Sequence, residues 1–492
     1  MKKLHIKHKN LILLGCILIF ALALRVFFFT GVISSDSLFY SEFANNIAKN
    51  EPFISNHLSL RLGIVYPVSW LYSILGVNEF SSNIIPLIFS LASIILIYKF
   101  GKLFFSEKTG LFAALLLSIF PLDVVFGTTL MGDIPSAFFV ALSVYWFLRS
   151  ERASKKSSAG LLCFFSGLSL GAAYLIREMS VLIGLFYIVY ALYNKKMRLR
   201  YFLVALGFVL ILSIELLYFL KAAGNPFYRY SVVSSNWANI ILEAPLYSRG
   251  EFPFLLLHYP KILATSNFLG LFYPLIFLAI FYCIIYRRKE TYSMLFWFVS
   301  LLLYISFGST SITRYVLFPP DPRLLSIITF PGILLLSYFL AQKEDLIKKV
   351  LMPGILFLII GTSMGFLYIS DYRHSLDGEK AVYNYLKTLP AKQVYTDKST
   401  ANVFNYLAGY EDNGKIKAFN RYEFLTPEKN CALDLSQTKD SYVVINKAVI
   451  NYGSLTKTGI KYPSQIFNIP KNWDLKKEFK LKNNDIGVYY AS

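Results

Sequence analysis

Apolar runs of roughly 20 residues, repeated along most of the chain and separated by short basic clusters, constrain this sequence more than any other feature. Wound as a helix, such a run matches the hydrocarbon thickness of a bilayer, and a soluble domain has no use for so many of them. About eleven spans are expected, near 11–33, 82–104, 109–127, 133–149, 159–176, 179–193, 201–220, 267–286, 291–308, 324–341 and 350–370. The chain is 55% hydrophobic, which agrees with a polytopic membrane protein.

The formal charge of +20 does not point to nucleic acid, because the cations fall between the spans. Lys2, Lys3, Lys7 and Lys9 precede the first. Further clusters are Lys99/Lys102/Lys108, Arg149/Arg152/Lys155/Lys156, Lys195/Lys196/Arg198/Arg200, Arg287/Arg288/Lys289 and Lys343/Lys348/Lys349. With these spans every cluster lies on one side, which the positive-inside rule makes the cytoplasm. The basic, then apolar, N-terminus lacks a small-residue cleavage site and reads as a retained, cytoplasm-facing signal anchor. Cys16, Cys163, Cys283 and Cys431 form no zinc spacing and no disulfide framework.

The opposite side then holds residues 34–81, the turn 128–132, Arg177-Glu178, and residues 221–266, 309–323 and everything after 370. Residues 37–48 put Leu38, Phe39, Phe43 and Ile47 on roughly one helical face, and 61–76 hold Val65, Val68, Trp70, Leu71 and Leu75 around Pro67. Both read as amphipathic helices lying in the interface. Pro226, Pro245, Pro253 and Pro260 break segment 221–266 into short pieces. From about 371 the composition becomes that of a soluble domain. Helices are expected at 381–389 and 400–407 and strands at 393–396, 441–445 and 487–490. The expected architecture is a transmembrane helical domain over 1–370 and a small extracytoplasmic α/β domain over 371–492. The latter carries no Gly-rich phosphate loop and no acid–His cluster, so acceptor binding or structural support is its expected role.

Chemistry is expected where charged residues meet the outer ends of spans. Asp36, in Ser34-Ser35-Asp36-Ser37, follows directly on the first apolar run. A carboxylate there can deprotonate a hydroxyl, and it can equally cap the helix at 37–48; the roles are not exclusive. Asp133 opens the fourth span ahead of Pro135, where capping is again the alternative. The two acids together could orient an acceptor or bind a divalent metal, but neither outer loop holds an Asp-x-Asp pair. Arg177, with Glu178 beside it, can snorkel to headgroups or hold a lipid phosphate. Arg323 begins the tenth span at phosphate depth and can instead pair with Asp321; Arg314 lies nearby. Arg61 in the first outer loop could also reach a phosphate. Arg25 inside the first span requires a partner or a function, and with Glu215 in the seventh it is a charge of the kind a transporter would place near the midplane. His57 reads as a solvated loop residue and Glu42 as a helix-surface one.

Taken together, these motifs resemble the GT-C glycosyltransferases, and most closely glycosyltransferase family 39, the protein O-mannosyltransferase and aminoarabinose-transferase type. The resemblance covers about residues 10–340. Asp36 and Tyr40 match the family's first-loop acid and tyrosine, although Ser37 stands where a second acid often is. Leu60-Arg61-Leu62-Gly63 to Gly76-Val77-Asn78 is similar to its second interfacial helix, and Gly132-Asp133-Ile134-Pro135 to its second-loop acid. Tyr174-Leu175-Ile176-Arg177-Glu178 and Pro322-Arg323-Leu324-Leu325 resemble its later basic motifs. The resemblance implies an inverting enzyme that moves a hexosyl or pentosyl group from a polyprenyl-phosphate monosaccharide, of the dolichyl-phosphate-mannose kind. The acceptor would be a protein, glycan or lipid hydroxyl on the extracytoplasmic face. Asp36 would take the acceptor proton, with Asp133 supporting it, while Arg177, Arg323 and Arg61 hold the donor phosphate. Tyr40, Glu178 and Arg314 would support them. The principal alternative is a transporter or flippase of lipid-linked sugars, which calls for an internal repeat and midplane charges.

Overall fold

Capping and breaking residues in the loops decide where the apolar runs become helices. The computed structural model describes residues 2–34, 36–51, 57–195, 198–243, 257–309, 315, 317–318, 321–342, 346–369, 375–411, 416–418, 438–449, 469–481 and 484–492. Helix α1 (Lys2–Phe27) stops short of the expected end at 33, and the chain turns through Gly31 at a φ of +78°. Two helices then fill the first outer loop, α2 (Asp36–Ala48) and α3 (Leu62–Leu75), packed on each other. On α3, Trp70 and Ile74 stay exposed, as an interfacial helix facing lipid requires.

A capping box starts α4 (Glu79–Phe104). Asn78 Oδ1 accepts from the Ser81 backbone N–H at 2.9 Å, and Ser81 Oγ accepts from that of Asn78 at 3.1 Å. Ser106 caps α5 (Glu107–Ile119), accepting from the Thr109 N–H at 3.0 Å. Pro121 cannot continue that helix, so the expected span 109–127 is in fact split into α5 and the short α6 (Pro121–Phe126). Next come α7 (Asp133–Glu151) and α8 (Lys156–Ile176). The expected span 179–193 is entered through a 3-10 turn, Glu178–Ile183, and only then becomes α9 (Gly184–Tyr193). Helix α10 (Phe202–Ala223) crosses α8 at Gly167 and Gly207, where any larger side chain would strike the facing backbone.

Segment 221–266 yields α11 (Tyr228–Glu243) and α12 (His258–Thr265), with Pro260 in the first turn of α12, where it displaces no helical bond. Pro245 and Pro253 lie outside the described residues, as do Arg314 and Cys431. The bundle closes with α13 (Phe272–Ile285), α14 (Tyr292–Phe307), α15 (Ser326–Ala341) and α16 (Leu346–Ile369). Six described helical segments are long and apolar enough to cross a bilayer: Lys9–Phe27, Glu79–Phe104, Lys156–Ile176, Leu199–Ala223, Lys289–Phe307 and Pro322–Ala341. Of the other expected spans, 109–127, 179–193 and 267–286 correspond to shorter or broken helices, while 133–149 and 350–370 fall on α7 and α16. The segment Pro322–Ala341 is the bundle's centre, with 89% of its apolar window buried.

The C-terminal unit begins with α17 (Asp377–Leu386), then β1 (Val394–Thr396), α18 (Lys398–Leu407), β2 (Ile416–Ala418), β3 (Ser441–Asn446), β4 (Trp473–Leu481) and β5 (Asn484–Ala491). The sheet order is β2-β1-β3-β5-β4, parallel around β1 and antiparallel across β5. Every residue of β3 is buried, which marks it as the central, doubly covered strand. The short β2 and the Lys-bearing edge strand β4 were not among the expected strands. Three residues give too little pattern for the first, and the alternation of Trp473-Asp474-Leu475-Lys476-Lys477 is broken by a bulge in the second.

Arg25 has a partner within the bundle. Its guanidinium meets Asp123 at 2.6 Å, Ser90 Oγ at 2.6 Å, and the carbonyls of Ala21 and Ser118 at 3.0 and 3.1 Å. One fully buried side chain thereby joins α1, α4, α5 and α6. Asp123→Ala strands that charge and is expected to destabilise the protein by about 3–5 kcal/mol. Arg25→Met with Asp123→Leu should recover most of the loss. Thermal unfolding in one detergent checks both.

Candidate active site

Helix and turn ends at one end of the bundle bring together the charged residues named from the sequence. Asp36 is the first residue of α2 and Tyr40 lies one turn further on; Arg61 immediately precedes α3. Asp133 is the first residue of α7, with Gly132 rather than Asp133 in the capping position. Arg177 ends α8, Glu178 opens the 3-10 turn after it, and Arg323 lies in the 3-10 turn leading into α15. A carboxylate at a helix N-terminus is favoured by the helix dipole, which suits both aspartates to their places.

Arg323 connects the first and last of these elements. Its Nη1 is 3.4 Å from Asp36 Oδ2, while Nε and Nη2 bond Asp321 Oδ2 at 2.7 and 2.6 Å. Asp321 also accepts from the Arg323 backbone N–H at 2.9 Å, which fixes the turn. The pairing of Asp321 with Arg323 expected from the sequence therefore exists, and Arg323 reaches Asp36 as well. Arg61 donates to the Tyr40 hydroxyl and faces Glu178 at 3.4 Å. Arg177 pairs with Asp133. Arg314 lies outside the described residues.

Sequence reasoning missed Arg229. Buried on α11, it bonds Glu178 at 2.8 Å, Glu215, and the Tyr174 carbonyl at 2.9 Å, and it stacks on the Tyr174 ring at 4.5 Å. The signal was the acid Glu215 inside an apolar helix, which demands a cation; the turn at Gly224, in the left-handed region at a φ of +68°, brings α11 back to supply it. Tyr259 of α12, buried beside Asp321 and Arg177, was also missed. His57 was expected in solvent, yet it is half-buried. Burial and then Arg61 push its pKa down, with Asp36 and Glu178 opposing them.

Three guanidiniums crowd this end of the bundle. Burial, Arg61 and Arg323 bring the Arg177 pKa down to about 10, with Tyr40 and Asp321 opposing them. Tyr40 is fully buried and its phenol is pushed up, so it remains neutral and serves Arg61 as an acceptor. Burial alone would raise the Glu178 carboxyl, but Arg61 and Arg229 outweigh it and hold it at about 2. An anion of one or two charges entering among Arg61, Arg177 and Arg323 would relieve the cationic crowding. Asp36 and Asp133 each face a guanidinium, which does not fit a divalent cation between them. Among the described residues no three His, Cys, Asp or Glu side chains gather into a metal-binding group.

Residues 62–219 match the family described as dolichyl-phosphate-mannose-protein mannosyltransferase. Asp133, Arg177, Glu178 and Glu215 fall inside that match, while Asp36, Arg61 and Arg323 fall outside it. No curated protein matches the chain. The fold is similar to that of ArnT from Cupriavidus metallidurans in the apo state, at 14% identity and a TM-score of 0.58 over 96% of this chain and 98% of that one. Against the same protein bound to undecaprenyl phosphate the TM-score is 0.60, at the same identity and coverage. The oligosaccharyltransferase of Archaeoglobus fulgidus in the apo form is similar at 11% identity and a TM-score of 0.57, over 98% of this chain and 74% of that one.

The depressed Glu178 pKa has a stability consequence. Its contribution is fully present above the unfolded value of about 4.3 and is lost as pH falls toward about 2. Glu178→Gln should therefore flatten the acid side of the stability profile. Thermal midpoints in detergent from pH 6 down to pH 3 are expected to fall more steeply in the unmodified protein than in the variant.

Proposed function

We propose that this chain, a GT-C superfamily membrane glycosyltransferase by its fold and family match, transfers a monosaccharide from a polyprenyl-phosphate donor to a hydroxyl on the extracytoplasmic face. The observation that carries the reading is the meeting of Asp36 with Arg323, among Arg61 and Arg177, at the end of the bundle where α3 exposes Trp70 and Ile74. A lipid-linked donor would lay its chain along that apolar surface and its phosphate among the guanidiniums. The basic clusters between spans support an extracytoplasmic site. The acceptor class is a protein, glycan or lipid hydroxyl.

Asp36 takes the acceptor's hydroxyl proton as that oxygen attacks the anomeric carbon. The bond from that carbon to the phosphate oxygen breaks with its electron pair, and polyprenyl phosphate leaves. One displacement at one carbon inverts its configuration. Charge that concentrates on the departing phosphate is met by Arg177, Arg323 and Arg61, which are already in place and already desolvated. Asp133 keeps Arg177 oriented, and the Arg229–Glu178 pair does the same for Arg61. The fold brings no support to the transport alternative: Arg25 and Glu215 are paired within the protein.

Asp36→Asn is expected to lower kcat by about 10²- to 10⁴-fold, the usual worth of a general base, with donor KM nearly unchanged. Retention of full transfer activity in membranes would remove the base assignment. Arg323→Ala is expected to raise donor KM by about tenfold or more, in line with losing a charge-assisted bond to phosphate. Transfer of radiolabelled sugar from a polyprenyl-phosphate donor measures both.

A further inference from the structure

The C-terminal unit rests on the helix that begins with Asp36. Helix α18 packs against α2, and contacts at its start, in its middle and just past its end tie it there. At the start, Ser399 Oγ lies 3.3 Å from Ser34 Oγ, two positions before Asp36. In the middle, Val403 and Tyr406 join Val32, Leu38 and Leu376 in one buried apolar cluster. Just past the end, the Tyr410 hydroxyl donates to the Leu38 carbonyl at 3.4 Å, and the Tyr410 carbonyl accepts from the Lys49 ammonium at 3.2 Å.

Two further features show that this contact is specific. Tyr406 ends a line of buried hydroxyls in which Ser41 meets Tyr72 at 2.8 Å, Tyr72 meets Ser82 at 2.7 Å, and Ser82 meets Tyr406 at 3.0 Å. That line joins α2, α3 and α4 to α18, and burial makes each link costly to leave unmade. Tyr410 sits in the left-handed region at a φ of +59°, a conformation a tyrosine holds only when its surroundings demand it. Its N–H closes the end of α18 on the Asn405 carbonyl at 2.7 Å, and its bonds to Leu38 of α2 and to Lys49 just beyond that helix hold the turn from the other side. A salt bridge of 2.8 Å between Lys380 and Glu79 ties α17 to α4 beside them.

We propose that the C-terminal unit is a positioning module for the base: α18 splints α2 and thereby fixes where the Asp36 carboxylate stands, with Tyr406 and Tyr410 as the positioning residues. The inference rests on Asp36 being the base. A short interfacial helix with a loop at each end gains little stability of its own, so its place is set by what packs on it. A general base must come within hydrogen-bond reach of the hydroxyl it serves, and small displacements there cost rate steeply. Arg61 and Arg323 also touch α2, through Tyr40 and Asp36, but Glu178, Asp133 and Asp321 hold Arg61, Arg177 and Arg323 from other elements, so loosening α2 moves the base more than it moves the donor's phosphate contacts.

Tyr406→Phe combined with Tyr410→Phe removes both hydroxyls and keeps both rings in the apolar cluster. In the full-length enzyme it is expected to lower kcat by about tenfold while donor KM stays within about twofold. Amide exchange in α2 should quicken in the same protein. A Ser34→Cys, Ser399→Cys disulfide added to that background should restore the slow exchange and most of the lost rate, which a merely destabilised protein would not regain. An unchanged kcat, a donor KM rising in step with the rate loss, or exchange in α2 as slow as in the unmodified enzyme would each overturn the proposal. Val403→Glu, which undocks α18 through the apolar cluster instead, should reproduce the kinetic pattern; a normal kcat with α2 exposed to exchange would count against it. If instead Asp36→Asn keeps full activity, the base reading fails by itself, and α2 exchange still reports whether the splint exists.

Discussion

Guanidinium groups brought out of water must find negative partners, and that requirement organises this molecule. Among the described residues, four arginines that the apolar bundle draws in come to rest against a carboxylate from another part of the chain: Arg25 with Asp123, Arg177 with Asp133, Arg229 with Glu215, and Arg323 with Asp36. A pair of this kind costs too much desolvation to be a simple source of stability. It does fix the relation between elements, because stranding either charge costs far more than a lost apolar contact. Arg25 does this deep in the helices. The others do it at the end where α2, α3, α7, α8 and α15 start or stop.

The same pairing gives the two groups of charges different capacities. Arg25 is closed off by four acceptors and has no freedom to meet anything else. Arg61, Arg177 and Arg323 keep part of their surface open and are held near one another despite their like charge, so their field is aimed at whatever anion arrives. The C-terminal unit touches the site through serine, tyrosine and apolar side chains along α2.

How much of this was legible in the sequence depends on range. Apolar runs are a local signal, and they placed most helices within a few residues; the caps at Asn78 and Ser106, also local, set the true starts of α4 and α5 but went unused. Asp36, Asp133, Arg177 and Arg323 could be singled out because each lies at the end of an apolar run, where a charge has little reason to be except partnership or chemistry. Their partners could not be chosen. Asp36 and Arg323 are 287 positions apart and Arg25 and Asp123 are 98 apart, and no periodicity reports a contact across such distances. Arg229 escaped notice because it stands in a polar-aromatic stretch that looks like any interfacial segment. The break at Pro121 was overlooked because the apolar count continues across it, whereas the backbone bond does not.

The cluster of three arginines also governs how the proposed reaction cycle ends. A lipid phosphodiester brings one negative charge to such a site, whereas the lipid monophosphate left behind carries nearly two at neutral pH. The cradle therefore grips the spent carrier harder than the loaded one. In the proposed cycle the three arginines would favour the charge of the products, and release of the empty lipid would be the step that works against them.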